Sequence, residues 1–316
     1  MSLNEFEVIH RFFDRRGRTS PGVILGIGDD AAIVRTEPGQ DLVVAADVLN
    51  VGIHFPESTD ARAIGHKALA VNLSDLGAMG ARPAWFTLSL SLPEVDETWL
   101  TGFSSGLFEL ADQFEITLVG GDTVRGPLSI GIQVMGQVPA GTGLRRSGAQ
   151  PGDKIYVSGT LGDAALALQQ IKQGERPETG LRKRLDYPVP RVDLGIRLQE
   201  TANSCIDISD GLMADLGHIL EASGKGASVS TSALPVSKYL KPLDSEFAIR
   251  LALSGGDDYE LCFTVPVEKT KIVEQLARGM DLPVTCIGEI TNKTGLQLSD
   301  YNMSLGSKGF NHFARD

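Results

Sequence analysis

One break divides the chain. Pro139 to Asp153, PAGTGLRRSGAQPGD, has no apolar periodicity and is dense in turn-favouring residues, so it reads as a linker or long loop. Each side carries its own mixture of short β-rich runs and helical patterns. Before the break, a helix is expected over Glu5 to Phe13, strands over Val23 to Ile27, Ala31 to Val34 and Leu42 to Ala46, and a long helix over Asp60 to Met79 with Thr59 as its N-cap. Ala84 to Leu92 alternates as a strand, Trp99 to Gln113 reads as a helix, and Ile116 to Val119 and Leu128 to Val138 as strands. After the break come strands at Lys154 to Ser158, Cys205 to Ile208, Glu260 to Val265 and Val284 to Ile290. Helices are expected over Asp163 to Lys172, Val192 to Ala202, Leu212 to Ser223, Phe247 to Leu253 and Thr270 to Gly279. Lys172 to Pro190 is charged, ends in Tyr187-Pro188-Val189-Pro190 and reads as an exposed connection. The fold class is therefore α/β, with mixed α+β sheets, in two domains, 1–138 and 139–316. Gly-Gly-Asp occurs in both halves, LVGGDTV and LSGGDDYELCFTV, a weak echo between them.

Charge narrows the function. Lys and Arg total 29 and Asp and Glu 40, a formal charge of −11. That balance argues against a nucleic-acid binder and against attachment to anionic lipid through basic residues. No apolar run approaches the roughly 18 residues that span a bilayer. Residues Met1 to His10 lack the basic start and apolar middle of a secretory signal. Cys205, Cys262 and Cys286 are widely spaced and odd in number, which suits a reducing compartment, so a cytoplasmic protein is expected.

Glycine is in excess, 36 residues of 316, and the acids sit beside it. Apolar segments run into Gly28-Asp29-Asp30, into Asp47, into Gly120-Gly121-Asp122, into Asp207-Ile208-Ser209-Asp210-Gly211 and into Gly255-Gly256-Asp257-Asp258. Singly, each is an ordinary turn or cap. Jointly they suggest acids collected where ligands of mixed sheets bind, at strand ends. Asp75 differs: it lies inside the helical pattern ALAVNLSDLGAM, where an unpaired charge is costly and a cation is a natural partner. Two carboxylates about 4 Å apart repel by roughly 4 kcal/mol at an effective dielectric of 20. Oxygen-only donors without a His or Cys cluster select Mg²⁺ or Mn²⁺ over Zn²⁺, and Mg²⁺ commonly takes substrate phosphates as further ligands.

Other motifs fail. GIGDDA matches G-x-G-x-x-A, but Asp29 and Asp30 would face the pyrophosphate and Pro38-Gly39 leaves no room for the required helix. There is no P-loop and no G-x-S-x-G. His66 and His218 read as packing residues; His54, in the apolar piece after Asp47, is the more interesting histidine.

The motifs LGIGDDAAIV, AADVLNVGIHF, GHKALAVNLSDLGAMGARPAW, LVGGDT, LRRSGAQPGD, DISDGL and GGDDYELCFT follow one another in this order. As an ordered set over nearly the whole chain they resemble the thiamine-monophosphate kinase family, within the superfamily of aminoimidazole ribonucleotide synthetase and selenophosphate synthetase. The resemblance implies a two-domain fold with a homodimer through the N-terminal domains and a C-terminal domain that completes the active site. It implies ATP-dependent conversion of thiamine monophosphate to thiamine diphosphate, with several Mg²⁺ ions. Carried over residue by residue, Asp30, Asp47, Asp75, Asp122, Asp207 and Asp210 look like metal ligands. Gly121, Asp122, Arg146 and Ser209 resemble ATP-binding positions, and His54, Glu260 and Phe310 resemble those that hold thiamine monophosphate. The acceptor is itself a phosphate monoester, so direct in-line transfer with neither a general base nor a covalent nucleophile is expected. The chain departs from the family pattern at Ala45 and Ala46, where hydroxyl residues are usual, at Asn50-Val51, and at Asp257, where Glu is common. Within the superfamily, selenophosphate synthetase commonly carries a reactive Cys or Sec near its N-terminus, and no Cys occurs here before Cys205. A non-catalytic acidic nucleotide-binding module is the alternative from another class; ADP release that depends on thiamine monophosphate separates the two.

Overall fold

The structure is a computed structural model and describes residues 3–15 and 21–300. The chain forms two units, residues 1–76 with 81–141, and residues 77–80 with 142–316.

The first unit opens with a short helix, α1 (Glu5–Val8), capped reciprocally by Asn4 and Glu7, which continues as a wider turn through Phe13. A small antiparallel pair, β1 (Val23–Leu25) and β2 (Ile33–Val34), brackets the Gly28-Asp29-Asp30 turn. The main sheet has the order β3-β6-β4-β5, built from β3 (Gln40–Asn50), β4 (Arg82–Leu92), β5 (Thr117–Arg125) and β6 (Ser129–Pro139). Two helices accompany it, α2 (Ala61–Ala78) and α3 (Glu97–Gln113). Ile130, Ile132, Val134 and Val138 alternate along β6 into the core, joined by Phe86, Leu88 and Leu90 of β4 and Leu69, Leu73 and Leu76 of α2. The helices touch backbone to backbone through glycine. A Cβ on Gly106 would stand 1.9 Å from the Arg62 carbonyl oxygen, so no larger residue fits that crossing.

The second unit holds a six-stranded sheet of order β12-β9-β11-β7-β10-β8. Its strands are β7 (Lys154–Ser158), β8 (Ser204–Asp207), β9 (Gly226–Val229), β10 (Leu261–Val265), β11 (Val284–Thr291) and β12 (Gly295–Leu298), antiparallel except for the β12–β9 pair. Its helices are α4 (Asp163–Lys172), α5 (Thr179–Asp186), α6 (Val192–Leu198), α7 (Leu212–Ser223), α8 (Ser245–Ser254) and α9 (Thr270–Gly279). The core clusters on both faces: Leu212, Leu216 and Ile219 pack with Ile155, Val157 and Ile206, while Leu194 and Leu198 pack with Phe263 and Val265.

Several sequence expectations are corrected. β3 and β5 do not end at their acids; they run through Asp47 and Asp122. Ladder bonds are made by the main chain, so a half-exposed strand tolerates a carboxylate without stopping. At the start of the helix over 61–78, Asp60 Oδ1 accepts the Arg62 N–H, so Asp60, next to the expected Thr59, supplies a capping acceptor. The exposed connection expected over Lys172 to Pro190 contains α5, with Leu181, Leu185 and Asp186 buried. Its two apolar residues lie four apart, enough for one buried helical stripe but hidden by the charged residues around them. The Gly-Gly-Asp echo does not mark equivalent places: one copy lies inside β5, the other between α8 and β10. β9 and β12 were not foreseen, being four residues each and glycine-led.

Candidate active site

In the first unit, Asp30 sits exposed in the turn between β1 and β2. Asp47 shares the half-buried face of β3 with Val43, Ala45 and Leu49. Its backbone N–H donates to Asn72 Oδ1 at 3.0 Å, and the Asn72 amide is fixed in turn by donating to the Ala68 carbonyl. Asp75 lies one turn beyond Asn72 on α2 and is half-buried amid buried neighbours. Residues three apart share a helix face, so Asp47 and Asp75 belong to one corner. Asp122 does not. In the ladder Asp47 pairs with Ile132, Ile132 with Leu88, and Leu88 with Gly121. Three strand spacings of about 4.8 Å therefore put about 14 Å of sheet between Asp47 and the Gly121-Asp122 pair. Gly121 has φ 149° and its absent Cβ would stand 1.8 Å from the Leu88 carbonyl oxygen. We expect Gly121→Ala to destabilise the first unit by more than about 2 kcal/mol in urea unfolding, through strain plus overpacking; a change under about 0.5 kcal/mol would contradict this close approach. His54 lies in a tight turn in which the Gly52 N–H donates to the Phe55 carbonyl. Its Nδ1 accepts the Asn50 N–H at 2.9 Å, which leaves Nε2 as the protonated nitrogen.

In the second unit, β8 ends at buried Asp207, and the chain then turns through Ser209 and Asp210 into α7. The N–H groups of Ser209, Asp210 and Gly211 all donate to Asp215 Oδ2 at 3.1 Å, so one carboxylate shapes the turn. Burial, with the charges of Asp207 and Asp210 beside it, pushes Asp215 up to about 7 against the pull of those N–H groups. The acidic motif around Asp257 zips onto this turn: Asp257 N–H donates to the Ser209 carbonyl, Tyr259 N–H to that of Ile208, and Ile208 N–H to that of Glu260. Asp257 and Tyr259 both adopt left-handed backbone, φ 68° and 50°, a strained conformation for non-glycine residues. Arg146 lies in the exposed loop after β6, which Ser223 holds through the N–H groups of Gly148 and Ala149.

Glu260 is enclosed. Its Oε2 accepts Ser158 Oγ and Arg191 Nε, each at 2.6 Å; its Oε1 accepts Arg191 Nη2 at 2.6 Å and Arg184 Nη2 at 3.1 Å. Arg184 also donates to the Thr160 carbonyl and pairs with Asp163, which accepts from Thr160 and Ser237 as well. Behind them both oxygens of Asp258 accept the Gly162 N–H, and burial pushes that carboxyl well above the usual range. Phe310 lies outside the described residues. Among the described residues, no three His, Cys, Asp or Glu side chains form a ready metal cage.

The chain matches the AIR synthase related protein family, its N-terminal domain over residues 28–138 and its C-terminal domain over 150–300. It is 46% identical to the thiamine-monophosphate kinase of Escherichia coli K12, with 99% of each chain covered. The chain belongs to the thiamine-monophosphate kinase family. Among solved structures, the thiamine-monophosphate kinase from Stenotrophomonas maltophilia K279a superposes with a TM-score of 0.86 at 50% identity over 95% of this chain and 98% of that one. The complex of AaThiL with AMPPCP and TMP gives 0.79 at 31% identity over 99% of both.

Two of the departing positions have a clear structural setting. The Asp257 backbone is left-handed, a conformation Asp tolerates unusually well. Ala46 lies on the exposed face of β3, opposite Asp47, so a hydroxyl there would point away from that carboxylate. Sequence reasoning missed Asp215, Arg184 and Arg191. Asp215, in the first turn of α7 right after the acidic turn, carries a legible signal; Arg184 sits within the Lys172 to Pro190 stretch that reads as a connection, and Arg191 directly follows it.

Proposed function

We propose that the chain transfers the γ-phosphoryl group of ATP directly to the phosphate of thiamine monophosphate, giving ADP and thiamine diphosphate with the help of Mg²⁺. Its family gives the enzyme class, a thiamine-phosphate kinase. The observation that carries the reading is the full-length likeness to a kinase complex holding AMPPCP and TMP. An acceptor phosphate oxygen attacks the γ-phosphorus in line while the bond to the β-phosphate oxygen breaks. The second pKa of a phosphate monoester is about 6, so the acceptor is mostly a dianion at pH 7 and needs no base. The protein's task is positioning and charge neutralisation.

The donors present suit Mg²⁺. They are all oxygens, and they stand as separate stations, Asp47 with Asp75, Asp122, and Asp207 with Asp210, with Asp30 in its own turn. Mg²⁺ is typically held by one or two carboxylates plus substrate phosphates, so stations without a closed cage are what it requires. Asp207, Asp210 and the buried Asp215 bring three carboxyl groups to one turn, a gathering of acid that a cation would offset. When bound, Mg²⁺ neutralises phosphate charge. We assign Gly121, Asp122, Arg146 and Ser209 to ATP. His54 would present Nε2–H to the acceptor, and Phe310 would offer an aromatic face to its cationic ring.

A homodimer through the first unit is part of this reading. Leu42, Val44 and Val48 alternate along the edge strand β3 as an exposed apolar row. We expect Val44→Asp with Val48→Asp to shift sedimentation from dimer to monomer; a wild-type monomer at micromolar concentration would refute the interface. Among the described residues no helix is long and apolar enough to cross a membrane, and the three cysteines are free, which suits the cytoplasm we propose. The decisive assay couples ADP release to thiamine, thiamine monophosphate and aminoimidazole precursors, with and without Mg²⁺. Turnover should require thiamine monophosphate and Mg²⁺ together; equal ADP release with another acceptor overturns the assignment.

A further inference from the structure

The Glu260 cluster has a polarity that its role as a fold staple does not require. Its carboxylates are at the back: the side chains of Glu260 and Asp163 are 1% and 2% exposed, and Asp258 is 4% exposed. Its arginines are at the front, with Arg191 15% and Arg184 25% exposed. A carboxylate has about four acceptor positions, and the four bonds from Ser158, Arg191 and Arg184 fill those of Glu260. Nothing is left on Glu260 for a ligand to donate to. The guanidiniums are the reverse. Each has five N–H groups, and Arg191 commits only Nε and Nη2 while Arg184 commits Nη2 and turns Nε toward Asp163. Among the described residues neither Nη1 has a hydrogen-bond partner or is buried without one. The cluster therefore keeps its carboxylates inside and turns the edges of its two guanidiniums outward.

We propose that Arg184 and Arg191 form a phosphoryl-binding subsite of the second unit, with Glu260 as the positioning residue that fixes both guanidiniums from behind. Planar, fixed guanidinium edges recognise phosphate oxygens two at a time, and burial of their inner edges means little side-chain entropy remains to be lost on binding. Glu260 then acts on substrate through its arginines and not by touch. The proposal rests on the kinase reading for its ligand, since both substrates carry phosphate: the acceptor monoester and the ATP chain.

The test is calorimetry, which needs no turnover, on full-length wild type and Arg184→Gln, with thiamine monophosphate, thiamine and AMPPCP as separate titrants. Gln retains a donor for Thr160 and Glu260 and leaves the Arg191 fork in place, and a thermal melt checks that the variant folds. A lost charge-assisted contact predicts a Kd weaker by about tenfold or more for one phosphorylated titrant. A loss confined to thiamine monophosphate assigns the subsite to the acceptor, and a loss confined to AMPPCP assigns it to the nucleotide; both support the subsite. Arg191→Lys, which keeps the charge and loses the fork, should weaken the same titrant. If wild type binds thiamine monophosphate and AMPPCP but neither variant changes either Kd by more than twofold, the subsite is wrong while the kinase reading stands. If wild type binds neither, the kinase reading itself fails.

Discussion

Asp122→Asn is expected to lower kcat by about two to three orders of magnitude at saturating ATP and thiamine monophosphate, the scale seen when one preorganised electrostatic contact to a transition state is lost. The side chain is exposed and β5 is held by its ladder to β4 through Ser89, so Asn keeps the strand and removes only the charge. Stability should stay within about 0.5 kcal/mol. Near-normal turnover at saturating Mg²⁺ would remove Asp122 from the metal ligands. Asp75→Asn should act at a similar scale from the other corner of the unit. Because about 14 Å of sheet separates Asp122 from the Asp47 corner, the barrier increases of the two substitutions are expected to add in the double variant; strong non-additivity would mean that they serve one ion or one acting unit.

Much of this arrangement was legible in the residues, and the part that was not has common causes. Asp163–Lys172, Leu212–Ser223 and Thr270–Gly279 follow the hydrophobic pattern from end to end as amphipathic helices, and Lys154–Ser158, buried on both faces after its first residue, stands out as a short apolar run between turn signals. In the sequence Asp47 and Asp122 look like strand terminators because a carboxylate after an apolar run resembles a turn; local pattern carries no information on whether a partner strand continues the ladder. Sheet order is a tertiary property too, so the distance between Asp47 and Asp122 could not be read from one dimension. The arginines were missed for another reason. A charged stretch normally faces water, and a network such as Glu260 with Arg184 and Arg191 joins residues 69 to 76 positions apart, so neither partner looks paired locally.

That network also carries the largest stability effect expected here. Glu260→Ala would leave two guanidiniums side by side without their shared carboxylate and would strand the Ser158 hydroxyl, which otherwise donates to Glu260 and accepts the Leu261 N–H at the start of β10. Removing one partner of a buried charge group costs about 3–5 kcal/mol. The arginines keep some access to water, which places Glu260→Ala toward the lower end, about 3 kcal/mol in urea unfolding. The double variant Glu260→Leu with Arg191→Met should regain part of that loss, because an apolar pair of similar volume needs no compensating charge. Phosphate recognition should not return with it, since the guanidinium edge is gone. Stability and affinity then separate: a variant that folds well and binds thiamine monophosphate poorly assigns the buried charges to recognition, whereas Glu260→Ala within about 1 kcal/mol of wild type would show that the network holds neither the fold nor the arginines in place.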